Sequence, residues 1–130
     1  MLRILLVEDN KADARLTGEI LKDTGLEHEL VWIKEGKKAL ELIGSGADFD
    51  LFILDLNLPR FNGLEIIAVL RKAERFRKTP VIVMTGARSP ENLPTKELDQ
   101  FLHYMVKPMT IDEMDGIKGA IKDIVLGSRT

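Results

Sequence analysis

Asp55 closes an unbroken apolar run, Leu51-Phe52-Ile53-Leu54, and Leu56-Asn57-Leu58-Pro59 follows it. A run apolar at every position predicts a strand covered on both faces, as in the middle of a parallel sheet. A carboxylate where such a strand meets water is a candidate for chemistry. Three other segments end in the same way. Leu2 to Val7 runs into Glu8-Asp9, Val81 to Met84 into Thr85, and Phe101 to Val106 into Lys107. In an open parallel sheet the carboxyl ends of the strands share one edge, where ligands bind. Three acids, a hydroxyl and an ammonium are therefore predicted to converge there.

Three neighbouring carboxylates repel one another and resist ionisation unless a cation joins them. Hard oxygen donors of this kind point to magnesium, with manganese as the alternative, and several retained waters. The charges then balance, because the three acids are offset by a divalent ion and the Lys107 ammonium. Such a cluster suits phosphoryl transfer, in which catalysis is mostly positioning and electrostatics. A carboxylate can itself be the nucleophile and become an aspartyl phosphate. Asp55 is the candidate acceptor because it stands alone at its strand end. Glu8 and Asp9 form a pair better suited to holding metal.

The elements that must position these groups follow from periodicity. Asn10 is a good N-cap, and Leu16, Ile20 and Leu21 mark one face of a helix that Gly25 stops. His28 to Ile33 reads as a more polar strand, placed at a sheet edge. Gly36 to Ile43 is a short helix, and Gly63 to Lys72 a longer one with Leu64, Ile67 and Ala68 facing the sheet and Ile66 and Leu70 flanking them. Lys72 to Thr79 is a charged connection read as solvated, together with the Arg71 to Lys78 cluster. Thr110-Ile111-Asp112-Glu113 is a capping box opening a last helix. The alternation predicts an α/β fold, a doubly wound five-stranded parallel sheet of order 2-1-3-4-5 with helices on both faces. That order puts Asp55 beside Glu8-Asp9 at the switch point. Residues 88–100 should hold a fourth helix, but Pro90 and Pro94 predict a shortened or distorted one.

The totals agree with one globular domain. The 130 residues are 45% hydrophobic and 31% charged, and the net charge of -2 predicts neither a nucleic-acid nor a membrane partner. With no cysteine, disulfides and thiolate zinc sites are excluded. The absence of a signal-peptide pattern or a spanning apolar run predicts a cytoplasmic protein. The expected boundaries are a domain over residues 1–126 and a tail over residues 127–130.

Taken in order, Val7-Glu8-Asp9-Asn10, Leu54-Asp55-Leu56-Asn57-Leu58-Pro59 with Gly63, Met84-Thr85-Gly86 and Lys107-Pro108 resemble the signature of the response-regulator receiver domain of two-component signalling. The resemblance covers essentially the whole chain. It implies a non-enzymatic switch in which Asp55 receives phosphate from a histidine kinase. Asp9 would bind Mg2+ directly, Glu8 would support it, and the backbone carbonyl of Asn57 would be a further ligand. Thr85 would hydrogen-bond the phosphoryl group and Lys107 would pair with it. Tyr104 matches the aromatic that turns inward as Thr85 moves. A cis peptide between Lys107 and Pro108 is expected to aim the lysine inward. Gly86 and Ala87 would leave the phosphoryl group open to water, giving self-dephosphorylation that is not unusually slow. A downstream protein and a phosphorylation-dependent homodimer are the expected outputs. The wording from Leu5 to Leu16 is similar to stand-alone regulators that serve bacterial phytochrome-type kinases. Asp99-Gln100-Phe101 departs from the small-residue turn usual before the fifth strand.

Other readings compete. An acid after a strand also serves as a turn or cap residue, and Glu8-Asp9 could merely favour a helix N-terminus. Thr85 could cap a turn, Lys107 could be solvated, and Tyr104 could only fill edge space. His28 and His103 lack metal-like spacing and read as structural. A phosphatase of the haloacid-dehalogenase type needs Asp-x-Asp, but position 57 is Asn, so its proton shuttle is missing. An unphosphorylated interaction module would not need all the acids and the lysine. A flavodoxin-like cofactor binder would need a glycine-rich loop after the first strand, which is absent.

Overall fold

The computed structural model describes residues 1–58, 61–86 and 99–128. The expectations for Pro59, Ala87, Pro90 and Pro94 therefore lie outside the described residues. Five parallel strands form one sheet, β1 (Leu2–Val7), β2 (His28–Ile33), β3 (Leu51–Asp55), β4 (Val81–Thr85) and β5 (Leu102–Val106), in the order 2-1-3-4-5. All the pairings in this sheet are parallel, with Val7 opposite both Ile33 and Leu54, and Asp55 opposite Met84. β3 and β4 are buried throughout, whereas β2 and β5 are half-exposed along most of their length. The mixed strands are therefore the outer pair, as their composition predicts.

Four α-helices cover the sheet among the described residues: α1 (Lys11–Asp23), α2 (Gly36–Gly44), α3 (Gly63–Lys72) and α4 (Ile111–Ser128). Alternation along the strands splits the core in two. Leu5, Val7, Phe52, Leu54, Val81 and Val83 face α2 and α3, where Ala39, Ile43, Ile66, Ile67 and Leu70 meet them. The opposite face presents Ile4, Leu6, Ile53, Ile82 and Met84 to Ile20 and Leu21 of α1 and to Ile117, Ile121 and Val125 of α4.

Capping follows the sequence. The Asn10 side chain accepts the Asp13 backbone N–H at 3.0 Å, and Thr110 Oγ1 accepts that of Glu113 at 3.1 Å. The face of α3 is rotated from expectation: Ile66, Ile67 and Leu70 are buried, while Ala68 is exposed. Larger side chains gain more from burial, so they set the rotation. α4 continues to Ser128, two residues past the Leu126 boundary expected from periodicity.

The charged connection after α3 is not simply solvated. A 3-10 turn at Glu74–Phe76 drives Phe76 into the core, edge-on to Phe52 with ring centroids 5.1 Å apart. Arg71 pairs with Asp99 and donates to the carbonyls of Phe76 and Thr79 at 2.9 and 3.0 Å. Arg75 donates to the carbonyls of Gly46 and Ile43 at 2.8 and 2.9 Å, satisfying the end of α2.

After β3 the chain makes a two-residue ladder, Asn57–Leu58 against Phe61–Asn62, before Asn62 caps α3 by accepting from Leu64 N at 2.9 Å. A Cβ on Gly63 would lie 3.0 Å from the Asp55 carbonyl oxygen and from Leu56 Cα, so α3 starts hard against the chain leaving β3. A Cβ on Gly36 would collide with the Phe61 ring, which rests on the start of α2.

Because Arg71 is mostly buried and serves three partners, Arg71→Met should lower unfolding stability by about 2 kcal/mol. Urea denaturation measures this; an unchanged midpoint would show the cluster to be surface decoration.

Candidate functional site

The carboxyl ends of β1, β3, β4 and β5 lie along one edge and carry the predicted groups. Glu8 and Asp55 are buried, 3% and 6% exposed, while Asp9 is exposed. One carboxylate oxygen from each lies within 4.8 Å of the others. Glu8 is fixed by its backbone, with its N–H donated to the Ile33 carbonyl at 3.1 Å and its carbonyl accepting Trp32 Nε1–H at 2.8 Å. Edge strand β2 thus helps to set the position of an acid that belongs to the end of β1.

Lys107 reaches into this group from the end of β5. Its Nζ lies 2.9 Å from Glu8 Oε1, 2.9 Å from Asp13 Oδ2 and 3.0 Å from Asp55 Oδ2. Its backbone N–H donates to the Thr85 carbonyl at 2.7 Å, tying the ends of β4 and β5 together. The expected cis peptide between Lys107 and Pro108 is corrected: no cis bond occurs among the described residues. A lysine has four methylenes between backbone and charge, and this reach delivers the ammonium from a trans backbone.

Thr85 is buried at the same edge, 1% exposed, with its hydroxyl donated to the Gly86 carbonyl at 3.2 Å. Tyr104 is half-buried on β5, at the wall of a hollow of about 630 Å³ between β5 and α4. Burial, with a further contribution from Asp99, raises its pKa. Asn57 lies in the short ladder two positions beyond Asp55. Sequence reasoning did not single out Asp13. Its signal is weak, since an acid in the first turn of a helix is common; only the fold brings it to Lys107.

The electrostatics follow from crowding. Burial pushes the Glu8 carboxyl up to about 7; Lys107 opposes the shift, and the nearby Asp55 carboxylate reinforces it. Burial alone would disfavour the Lys107 ammonium, but hydrogen bonds to Asp13, Glu8 and Asp55 outweigh it and raise its pKa. The pocket thus holds more negative charge than the Lys107 ammonium can offset. Its donors are hard carboxylate oxygens, close enough to share one ion, and they fit a small divalent cation.

The described residues contain no helix long and apolar enough to cross a membrane. Comparison with known proteins places this architecture. The family model for the response regulator receiver domain matches residues 4–117. The probable methanogenesis regulatory protein FilR2 of Methanothrix harundinacea is 32% identical over 129 residues, covering 95% of this chain and 83% of that protein. The Mn(2+)-bound form of the response regulator Rcp1 superposes with a TM-score of 0.78 at 31% identity, over 95% of this chain and 93% of that one. Rcp1 itself comes from Synechocystis. The phosphorylated cyanobacterial phytochrome response regulator RcpA gives a TM-score of 0.81 at 29% identity, over 99% and 96% of the two chains. With its acids gathered at the switch point of a 2-1-3-4-5 sheet, the chain belongs to the response regulator receiver domain family of two-component signalling.

Proposed function

We propose that this protein is a phosphorylation-driven switch whose acceptor is Asp55, loaded by a sensor histidine kinase in a Mg2+-dependent reaction. The observation that carries this reading is a buried Asp55 carboxylate held between the Lys107 ammonium and the Glu8-Asp9 pair. Glu8, Asp9, Asp55 and the Asn57 carbonyl would hold the ion, with Mn2+ as a substitute. When bound, it would offset negative charge on the transferring phosphoryl oxygens.

The residues of the chain do the rest. A carboxylate oxygen of Asp55 attacks the phosphorus of a phosphohistidine; the O–P bond forms as the N–P bond breaks, and the imidazole nitrogen keeps the electron pair. Lys107 pairs with a phosphoryl oxygen. Thr85 leaves the Gly86 carbonyl to donate its hydroxyl to another. That movement frees space toward Tyr104, whose rotation changes the face made by β5 and α4. The output is a contact with a downstream protein, not turnover of a substrate. Exposed Val106, Met109 and Ile111 supply apolar surface beside Lys107 for such a contact, including one with a second copy. The phytochrome link of RcpA supports a phytochrome-type kinase as the donor. We assign the switch to the unit that ends with α4 at Ser128, and the cytoplasm as its compartment.

Incubation with acetyl phosphate and Mg2+ followed by intact-mass measurement should give one phosphate-sized gain, lost in Asp55→Asn. Equal gain in the variant would remove Asp55 as the acceptor. A proton and the ion compete for Glu8, whose carboxyl is protonated below about pH 7. Apparent Mg2+ affinity should therefore fall by up to about tenfold per pH unit below that point. Trp32, the single tryptophan, reports binding by fluorescence because its indole N–H donates to the backbone carbonyl of Glu8. Glu8→Gln should flatten the dependence; a flat wild-type profile would contradict the assignment. Sedimentation with beryllofluoride and Mg2+ should show a heavier species than the untreated protein; an unchanged one would rule out contact with a second copy as the output.

A further inference from the structure

We propose that Asp13 is a positioning residue for Lys107, a fixed seat about which the ammonium turns between its resting and phosphoryl-bound states. The inference rests on the reading of Asp55 as acceptor. An ammonium has three N–H donors, and Lys107 meets three separate carboxylates at 2.9 to 3.0 Å, so each donor has its own partner. Two of those partners, Glu8 and Asp55, belong to the acid cluster that suits a divalent ion, and Asp13 does not. An ion drawing on Glu8 and Asp55, followed by a phosphoryl group on Asp55, changes both of those contacts. The Asp13 contact alone needs no change.

The local backbone suits that role. Asp13 sits in the first turn of α1, where its N–H is held by the Asn10 side chain at 3.0 Å. This turn follows directly from Glu8-Asp9, so the seat and the acid pair share one rigid stretch of chain. Asp13 is 94 residues from Lys107 in sequence, and the pair joins the start of α1 to the end of β5. With the Lys107 and Asp13 side chains 22% and 37% exposed, water screens the pair partly and its effect is moderate.

A positioning role differs from an ordinary surface ion pair in acting only through Lys107. In the full chain, Asp13→Ala should slow phosphorylation by acetyl phosphate and Mg2+ by about fivefold. Asp13→Asn, which keeps an oxygen acceptor, should recover much of that loss. In a Lys107→Ala background, Asp13→Ala should add no further slowing, because the two changes remove one interaction. Without ion or phosphodonor, the Lys107 ammonium should give a slowly exchanging nitrogen-correlated proton signal that Asp13→Ala broadens or abolishes. Unaltered phosphorylation in Asp13→Ala, or equal slowing with and without Lys107, would overturn the proposal. Should wild type itself gain no phosphate, the acceptor reading fails, and an ammonium signal indifferent to Asp13→Ala would independently reject the seat.

Discussion

Everything at the carboxyl edge is governed by the repulsion of acids brought together where burial has removed much of their water. Glu8 and Asp55 are nearly inaccessible, Asp9 lies beside them, and the Lys107 ammonium reaches in among them. Burial and mutual proximity push Glu8 toward holding a proton near neutrality. Such a pocket gains from any added positive charge. Under the reading proposed above, holding a small hard ion and accepting a phosphoryl group accompanied by that ion would be two aspects of the same imbalance.

The sheet makes this gathering tolerable. Asp55 ends the central strand, which pairs with β1 as far as Leu54 on one side and with β4 on the other, where Asp55 itself lies opposite Met84. Glu8 is held through Ile33 and Trp32 of the edge strand, and Lys107 through the Thr85 carbonyl. Each charged tip projects from a backbone that has little freedom to retreat. Strain between like charges is therefore borne by rigid elements, while the adjustable parts are a long lysine side chain and a threonine hydroxyl.

Much of this was legible in the sequence. Nearly all-apolar runs marked β1, β3 and β4, a more polar composition marked β2 as an edge, and five residues at four strand ends announced the pocket. What escaped notice depends on tertiary contact. Asp13 looks like a routine first-turn acid until β5 delivers Lys107. Phe76 lies among charges, and its burial depends on packing into the core against Phe52. Arg71 and Arg75 read as solvated, yet they close the carbonyls of turns that no local pattern pairs with them. The lysine–proline bond was misread because family pattern, not backbone energetics, suggested its isomer. The ladder of Asn57–Leu58 with Phe61–Asn62 is too short to leave a periodic trace.

The ring of Phe61 resting on Gly36 has a consequence for how such a domain can diverge. Position 36 opens a surface helix and looks freely variable, but any side chain there must evict the ring. Phe61 also belongs to the segment paired with Asn57 and Leu58, just beyond the strand that ends in Asp55. The two positions therefore form a compensating volume pair, in which bulk gained at one must be surrendered at the other. A side chain added at position 36 therefore calls for less bulk at position 61, or it pushes on the segment that follows Asp55.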